Sequence, residues 1–188
     1  MQPPERLAGD GIRAVLRPWR DGDTALLAAA AADPYIADVW ALPAPGDRAG
    51  ARAWIEAQRR RTAEGPGPSL AITAGDDIAA GNAGVTRRED GRASIYYWLA
   101  PDARGRGLAR EAALLLGRWA LEQPEIARLE AYVEPQNAAS KALLEHLGFR
   151  REGLLRSFVT FGTTRRDVEV FSVLPGDAGS LRPASGGA

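Results

Sequence analysis

Between a strand-like run ending Tyr97-Trp98-Leu99-Ala100 and an apolar helical run beginning at Leu108 lies the loop Pro101-Asp102-Ala103-Arg104-Gly105-Arg106-Gly107. Gly105 and Gly107 let backbone N–H groups close on an anion with no Cβ in the way. The first turn of the following helix adds orphan donors and a partial positive charge. Arg104, Arg106 and Arg110 bring full charges. These residues have the chemistry of a phosphate cradle. A dinucleotide fingerprint fits them poorly: Arg110 stands where a third glycine belongs, and the preceding strand lies among hairpins rather than opening a βαβ unit. Taken alone, the stretch reads equally as a cradle or as an ordinary glycine-rich turn.

Composition removes several other chemistries. The 188 residues contain no cysteine, so disulfides, thiolate metal sites and a cysteine nucleophile are excluded. A single histidine, His146, argues against a histidine triad or metal cluster, and no metal site is expected. With 24 basic and 24 acidic residues the formal charge is zero, which gives no basis for a nucleic-acid or membrane partner. An anion site must therefore be local. Hydrophobic residues at 45% and charged residues at 26% are globular values. Met1-Gln2-Pro3-Pro4-Glu5-Arg6 carries no apolar run behind a basic start, and no stretch of about 18 apolar residues occurs. The expectation is a soluble, cytoplasmic chain with one core.

Periodicity supplies the elements that must position the loop. Ile12–Trp19 alternates as a strand, and Asp21 and Asp23 offer N-cap chemistry for a helix over Thr24–Ala32 that Asp33-Pro34 ends. A second helix is expected at Asp47–Glu64, with Trp54 and Ile55 inside and Arg59-Arg60-Arg61 outside. Strands follow at Leu70–Thr73, Ile78–Thr86 and Ala93–Ala100. Leu108, Ala112, Leu115, Leu116 and Trp119 recur at helical spacing over Gly107–Glu122, which stops before Pro124. Arg128–Glu134 alternates again, Asn137–Leu147 is helical, and Phe149–Phe161 with Asp167–Leu174 forms a final antiparallel pair. The fold class is mixed α/β (α+β): one domain, a twisted, mostly antiparallel sheet of about seven strands, helices on both faces. Residues 1–10 are expected to be a flexible N-terminus, 11–174 the one folded domain that carries the function, and 175–188 a disordered tail.

Two motifs together carry a family resemblance. Arg104-x-x-Gly107-x-Ala109 resembles the acyl-CoA signature of the GNAT superfamily of N-acyltransferases. Val133-Glu134-Pro135-Gln136-Asn137-x-x-Ser140-x-x-Leu143-x-x-x-Leu147-Gly148-Phe149, followed by Glu152-Gly153-x-Leu155-Arg156, is similar to its Rim-type branch of ribosomal-protein N-terminal acetyltransferases. The likeness runs from about Ile12 to Leu174, with Leu16-Arg17-Pro18-Trp19 and Asp33-Pro34 in place. It implies a sheet splayed between its fourth and fifth strands, with acyl-CoA in the gap. Backbone groups of Tyr97, Trp98 and Leu99 would pair with the pantetheine arm. The amides of Gly105, Arg106, Gly107, Leu108, Ala109 and Arg110, with the Arg104 side chain beside them, would hold the pyrophosphate. Asn137 would contact the pantetheine, although an N-cap role explains it almost as well.

With no cysteine to carry the acyl group, the implied reaction is direct attack of an amine on the thioester in a ternary complex, with acetyl-CoA as co-substrate. Two roles lack an obvious holder. Many relatives place a tyrosine seven residues after the helix-start asparagine, where this chain has Leu144; Ser140 is the remaining proton relay, or a structural serine. Ser94 stands where many relatives have glutamate, leaving Glu130, Tyr132 and Glu134 on one strand face, with Glu130 taken as the base. His146 reads as a surface residue and Glu111 as support for its helix's first turn. An α-amine is about 10–15% neutral at pH 7, whereas a lysine amine needs about 4.6 kcal/mol to lose its proton. A site without a strong base therefore suits a protein N-terminus or a small-molecule amine. Tyr35, Ile36, Trp40 and the Phe158–Arg166 hairpin are the expected acceptor region, and a homodimer remains compatible. The competing class is a non-catalytic CoA-binding regulatory domain; a nucleotide-binding protein is a third.

Overall fold

The computed structural model describes residues 3–161, 163–177 and 181; Met1, Gln2 and most of the expected tail lie outside the described residues. Strand β1 (Val15–Arg17) leads through a short 3-10 turn into helices α1 (Thr24–Ala30), α2 (Pro34–Val39) and α3 (Arg48–Glu64). Strands β2 (Ser69–Thr73), β3 (Ala79–Arg87) and β4 (Arg92–Leu99) follow. Helix α4 (Leu108–Leu121), strand β5 (Arg128–Val133), helix α5 (Ala138–His146) and the hairpin β6 (Arg150–Phe161) and β7 (Thr164–Val173) complete the order. Among the described residues the strands form one sheet, β1-β2-β3-β4-β5-β7-β6. Every neighbouring pair is antiparallel except β4 and β5, which run parallel.

Period-2 alternation sorts the core into two layers. Leu70 and Ile72 of β2, and Ile95 and Leu99 of β4, face α4 and α5 with Leu108, Ala112, Leu116 and Leu144. Ala71 and Trp98 face the other way, onto Trp19, Leu27, Ala30 and Ile55 of α1–α3 and their approach. Helices therefore cover both sheet faces, and the buried α4 is held with its N-terminus at the end of β4. Among the described residues, no helix is long and apolar enough to cross a membrane.

The elements depart from the sequence reading in four places. Asp33-Pro34 does not only stop a helix: the Asp33 carboxylate accepts from Tyr35 N at 3.0 Å and Ile36 N at 3.4 Å, and so caps α2, with Pro34 in the first turn. Of the three arginines expected outside α3, two turn inward. Arg59 Nε donates to Trp19 O at 2.9 Å, and Arg61 reaches Tyr96 Oη at 3.0 Å and Thr86 Oγ1 at 2.6 Å. Their long stems lie along the sheet while the guanidinium groups find carbonyl and hydroxyl acceptors. Trp54 is half-buried rather than inside, standing edge-on to Trp19 with ring centroids 5.1 Å apart. Finally, both chain ends are partly held. Leu7 and Leu16 exchange backbone bonds of 2.9 Å, Pro175–Asp177 forms a 3-10 turn, and the buried Leu181 packs beside Gly117 while its carbonyl accepts from Arg118.

Candidate active site

The parallel pair β4–β5 lasts three rungs, Arg92–Arg128, Ala93–Leu129 and Ser94–Glu130, after which the strands diverge. The far edge of β4 remains fully paired with β3 as far as Leu99. Ile95 to Leu99 therefore present an edge to open space. The gap forms a cavity of about 720 Å³. Its walls are β4 from Ser94 to Leu99, β5 from Ala131 to Val133 with Glu134 just beyond it, Asn137 and Ser140 of the α5 start, and Tyr35, Ile36 and Trp40 of the α2 region. Arg104, Gly105, Gly107, Ala109 and Arg110 close one end; Val159 and Phe161 of β6 line the other region.

At the cradle end, Gly105 and Gly107 adopt φ of 74° and 79°, and Gly107 is a left-handed N-cap of α4 that offers no side-chain cap. The first-turn amides of α4 thus keep their donors directed out of the helix end. A Cβ at Gly105 would meet nothing within 4 Å, so its requirement is conformational rather than steric. Glu111 serves the scaffold: its carboxylate accepts from Arg13 N at 3.0 Å and Ala14 N at 2.9 Å, tying the approach to β1 onto α4. The Arg13 guanidinium also donates to Arg106 O, which fixes the loop from behind. Leu108 points into the core, leaving only its backbone for a ligand.

The three cradle arginines differ. Arg104 is drawn back along β4, donating from Nε to Leu99 O at 3.2 Å and from Nη2 to Asp33 at 2.5 Å. That guanidinium holds the Asp33 carboxyl below the usual carboxylate range. Arg106 is exposed, and the half-buried Arg110 lies 3.4 Å from His146 Nε2. His146 is exposed on α5, where the helical spacing puts it.

The catalytic candidates separate sharply. Asn137 caps α5 by accepting from Ser140 N at 3.1 Å. Ser140 Oγ stands 2.8 Å from the Tyr97 hydroxyl, which burial raises to about 12. Leu144 is fully buried and apolar. Glu130, expected as the base, does not belong to the cavity wall. It is 4% exposed, with its carboxylate taken by Arg128 Nε at 2.6 Å and by the Tyr132 hydroxyl. It sits at the last paired rung, where the strands have not yet parted. Of the carboxylates at this end of β5, the one that lines the cavity is Glu134, one residue beyond the strand; Asp33, bound to Arg104, lines it as well. Glu134 accepts from Tyr35 Oη at 2.8 Å, from Arg166 Nη1 at 3.0 Å and from Gln136. Burial and then the Glu134 contact push the Tyr35 hydroxyl well above its ordinary range.

Sequence reasoning missed two pairings. Tyr35–Glu134 spans 99 positions, and no local pattern signals it. Tyr97–Ser140 was partly readable, since alternation along β4 puts Tyr97 on the α4–α5 face with Ile95 and Leu99. The expected acceptor residues Tyr35, Ile36, Trp40 and Phe161 do line the same cavity. Among the described residues no group of histidine and carboxylate side chains is arranged to hold a metal ion.

A mixed sheet split between parallel neighbours, with a capless helix N-terminus at one end of the split, defines a class of α/β proteins whose ligand cleft lies inside the sheet. Residues 13–150 match the family model described as the acetyltransferase (GNAT) domain, and the chain belongs to that family. Mycobacterium smegmatis RimJ, solved in complex with CoA-disulfide, superposes with a TM-score of 0.77 at 26% identity over 94% of this chain and 91% of that one. RimL, a ribosomal L7/L12 alpha-N-protein acetyltransferase solved with coenzyme A, gives 0.74 at 18% identity over 92% and 99%, a likeness of fold. In sequence, an uncharacterized N-acetyltransferase, p20 of Bacillus licheniformis, is 40% identical over 87 residues. That segment is 46% of this chain and 49% of p20, so the chain spans about half the length of this curated relative.

Proposed function

We propose that the protein is an acyl-CoA-dependent N-acyltransferase that moves acetyl from acetyl-CoA directly to a primary amine. The observation that carries this reading is the parting of β4 from β5 after Ser94, which opens a free strand edge onto the amide cradle at Gly105–Arg110. A pantetheine arm carries amide groups that suit such an edge, as an added strand would. The pyrophosphate suits the first-turn amides of α4, with Arg106 and Arg110 beside them. Arg104 exchanges Asp33 for phosphate at small cost, because both partners are anions on an exposed guanidinium.

The amine attacks the thioester carbonyl, and a β4 amide near Tyr97–Leu99 takes the developing oxyanion. Glu134 replaces Glu130 in this reading as the carboxylate that meets the amine. Held by Arg166 and Tyr35, it orients an acceptor of which about 10–15% is already neutral at pH 7 rather than stripping a strongly basic lysine. Ser140 lines the same cleft, with its hydroxyl on that of Tyr97. The acceptor class is thus a protein N-terminal α-amine or a small-molecule amine of similar basicity. A cytoplasmic location goes with an acyl-CoA co-substrate.

The test is incubation with acetyl-CoA and a panel of peptide α-amines, amino sugars, amino acids and lysine side chains while thiol release is followed. Amine-dependent release, fastest with α-amines, is expected. Saturable CoA binding without release from any amine would favour the regulatory-domain class, and preference for lysine side chains would overturn the acceptor assignment.

A further inference from the structure

The alternation that layers the core also divides the cavity. On β4, Ile95, Tyr97 and Leu99 face α4 and α5, the side of the cradle, whereas Tyr96 and Trp98 face α1–α3. Beyond β5 the same alternation puts Glu134 on the α2 side, where Tyr35 Oη holds it. A donor lying along the cradle therefore meets an acceptor that enters beside α2. On that side the hydroxyls are already engaged. Tyr96 Oη accepts from Arg61 Nε at 3.0 Å, with the guanidinium 5.5 Å from the ring centroid, and Tyr35 Oη donates to Glu134. The Trp40 ring packs on Tyr96 with centroids 5.0 Å apart, and the Trp40 carbonyl accepts from Trp54 Nε1 at 3.3 Å. Ile36, Val39, Trp40 and Tyr96 thus present ring and aliphatic surface to the cavity. At 1.5 Å per helical residue, Trp40 stands about 7 Å along α2 from Tyr35, close to the length of a large side chain.

Building on the transferase reading above, we infer that this wall is a specificity subsite for an α-amine whose α-carbon bears a large apolar side chain, of the phenylalanine or leucine kind. With the amine at Glu134, the side chain of the same carbon runs along α2 towards the Trp40–Tyr96 pair. A small side chain leaves those rings bare. A charged one loses its hydration beside hydroxyls that are already taken. Because Arg61 anchors Tyr96 from α3 and Trp54 anchors Trp40, the wall is set before the acceptor arrives. The recognised chemistry is the same in a peptide N-terminus and in an amino-acid amide.

The test uses peptides that differ only in a first residue of phenylalanine, leucine, alanine, serine or lysine, with phenylalaninamide beside them, and reads α-amine kcat/KM at saturating acetyl-CoA. Phenylalanine and leucine should exceed the other three by at least about 10-fold. Phenylalaninamide within about 3-fold of the phenylalanine peptide would support the subsite with a small-molecule acceptor; a larger advantage for the peptide would support it with a polypeptide N-terminus. In Trp40→Ala the phenylalanine-to-alanine ratio should fall to within about 3-fold, while acetyl-CoA binds within about 2-fold of wild type. Trp40→Phe, which keeps an aromatic wall, should keep the preference. A wild type that uses alanine or serine as well as phenylalanine, or a Trp40→Ala loss equal on every peptide, would overturn the subsite and leave the transferase reading standing. A wild type that binds CoA yet acetylates no amine of the series would overturn the transferase reading and the subsite with it.

Discussion

Single residues decide which of several plausible carboxylates reaches the cavity. Glu130 and Glu134 share a strand face, and spacing alone cannot rank them. The structure ranks them by where the strands part: Glu130 sits at the last β4–β5 rung, while Glu134 lies beyond it on the cavity wall. Glu134→Gln is expected to lower kcat/KM by at least about 10-fold with a correct fold, because a neutral amide beside Arg166 no longer attracts an amine. Glu130→Gln should instead lower stability, by breaking the contacts with Arg128 and Tyr132, while kcat/KM stays within about 3-fold of wild type. Steady-state kinetics and thermal melts on the two variants check this, and the reverse pattern would return the role to Glu130. The site was legible in sequence where it depends on contiguous residues, as at Arg104–Arg110 and at the Asn137 cap. It was illegible where it depends on a meeting of distant chain segments, as for Tyr35 with Glu134 and Arg166.

At the level of elements, the sequence placed nearly every strand and helix because their apolar periods are regular and their caps are strong. The omission, α2, is six residues long and has no periodic stripe; its only signal is the Asp33-Pro34 cap, which also reads as a stop. The inward turn of Arg59 and Arg61 was hidden for another reason: an arginine on a helix is compatible with either face until its acceptors are known. Charge also joins elements that do not hydrogen-bond as strands. Arg128 of β5 grips Glu152 of β6 across β7, whose Ser172 donates to the same carboxylate. The Arg128 guanidinium, and then the Ser172 hydroxyl, lower the Glu152 carboxyl from 4.5 to about 2. A folded-state value below the unfolded one means that the stabilisation is full above about pH 4.5 and disappears as pH falls from there through 2. Glu152→Gln should therefore melt lower than wild type at pH 7, and the gap should narrow steadily as melts are taken from pH 5 towards pH 2.5. A gap that stays constant through acid would mean that the cost comes from packing rather than from charge.

For the molecule as a whole, neutrality and the split sheet bear on one another. A chain with 24 positive and 24 negative charges has no long-range field to gather a polyanion, so its affinity must come from the local geometry of the cradle. That geometry rests on the same packing that holds the fold: α4 is buried along its length, its N-terminus is tied to β1 through Glu111, and β4 and β5 are joined by three rungs. A donor lying in the split would bridge the two halves of the sheet in the folded state alone, and so would stabilise the native protein by mass action. At 100 times its Kd the gain is about 2.7 kcal/mol. For a domain of this size that gain corresponds to a melting rise of about 5–11 °C. Acetyl-CoA should produce such a shift with the wild type and little with Gly107→Val, in which a β-branched residue must adopt the left-handed φ of 79° that opens the cradle. NAD is the informative control. It carries a pyrophosphate but lacks the pantetheine amides that would pair with the free edge of β4, so its shift should be much the smaller. A shift from NAD as large as that from acetyl-CoA would mean that the cradle alone provides the binding, and would move the protein into the nucleotide-binding class.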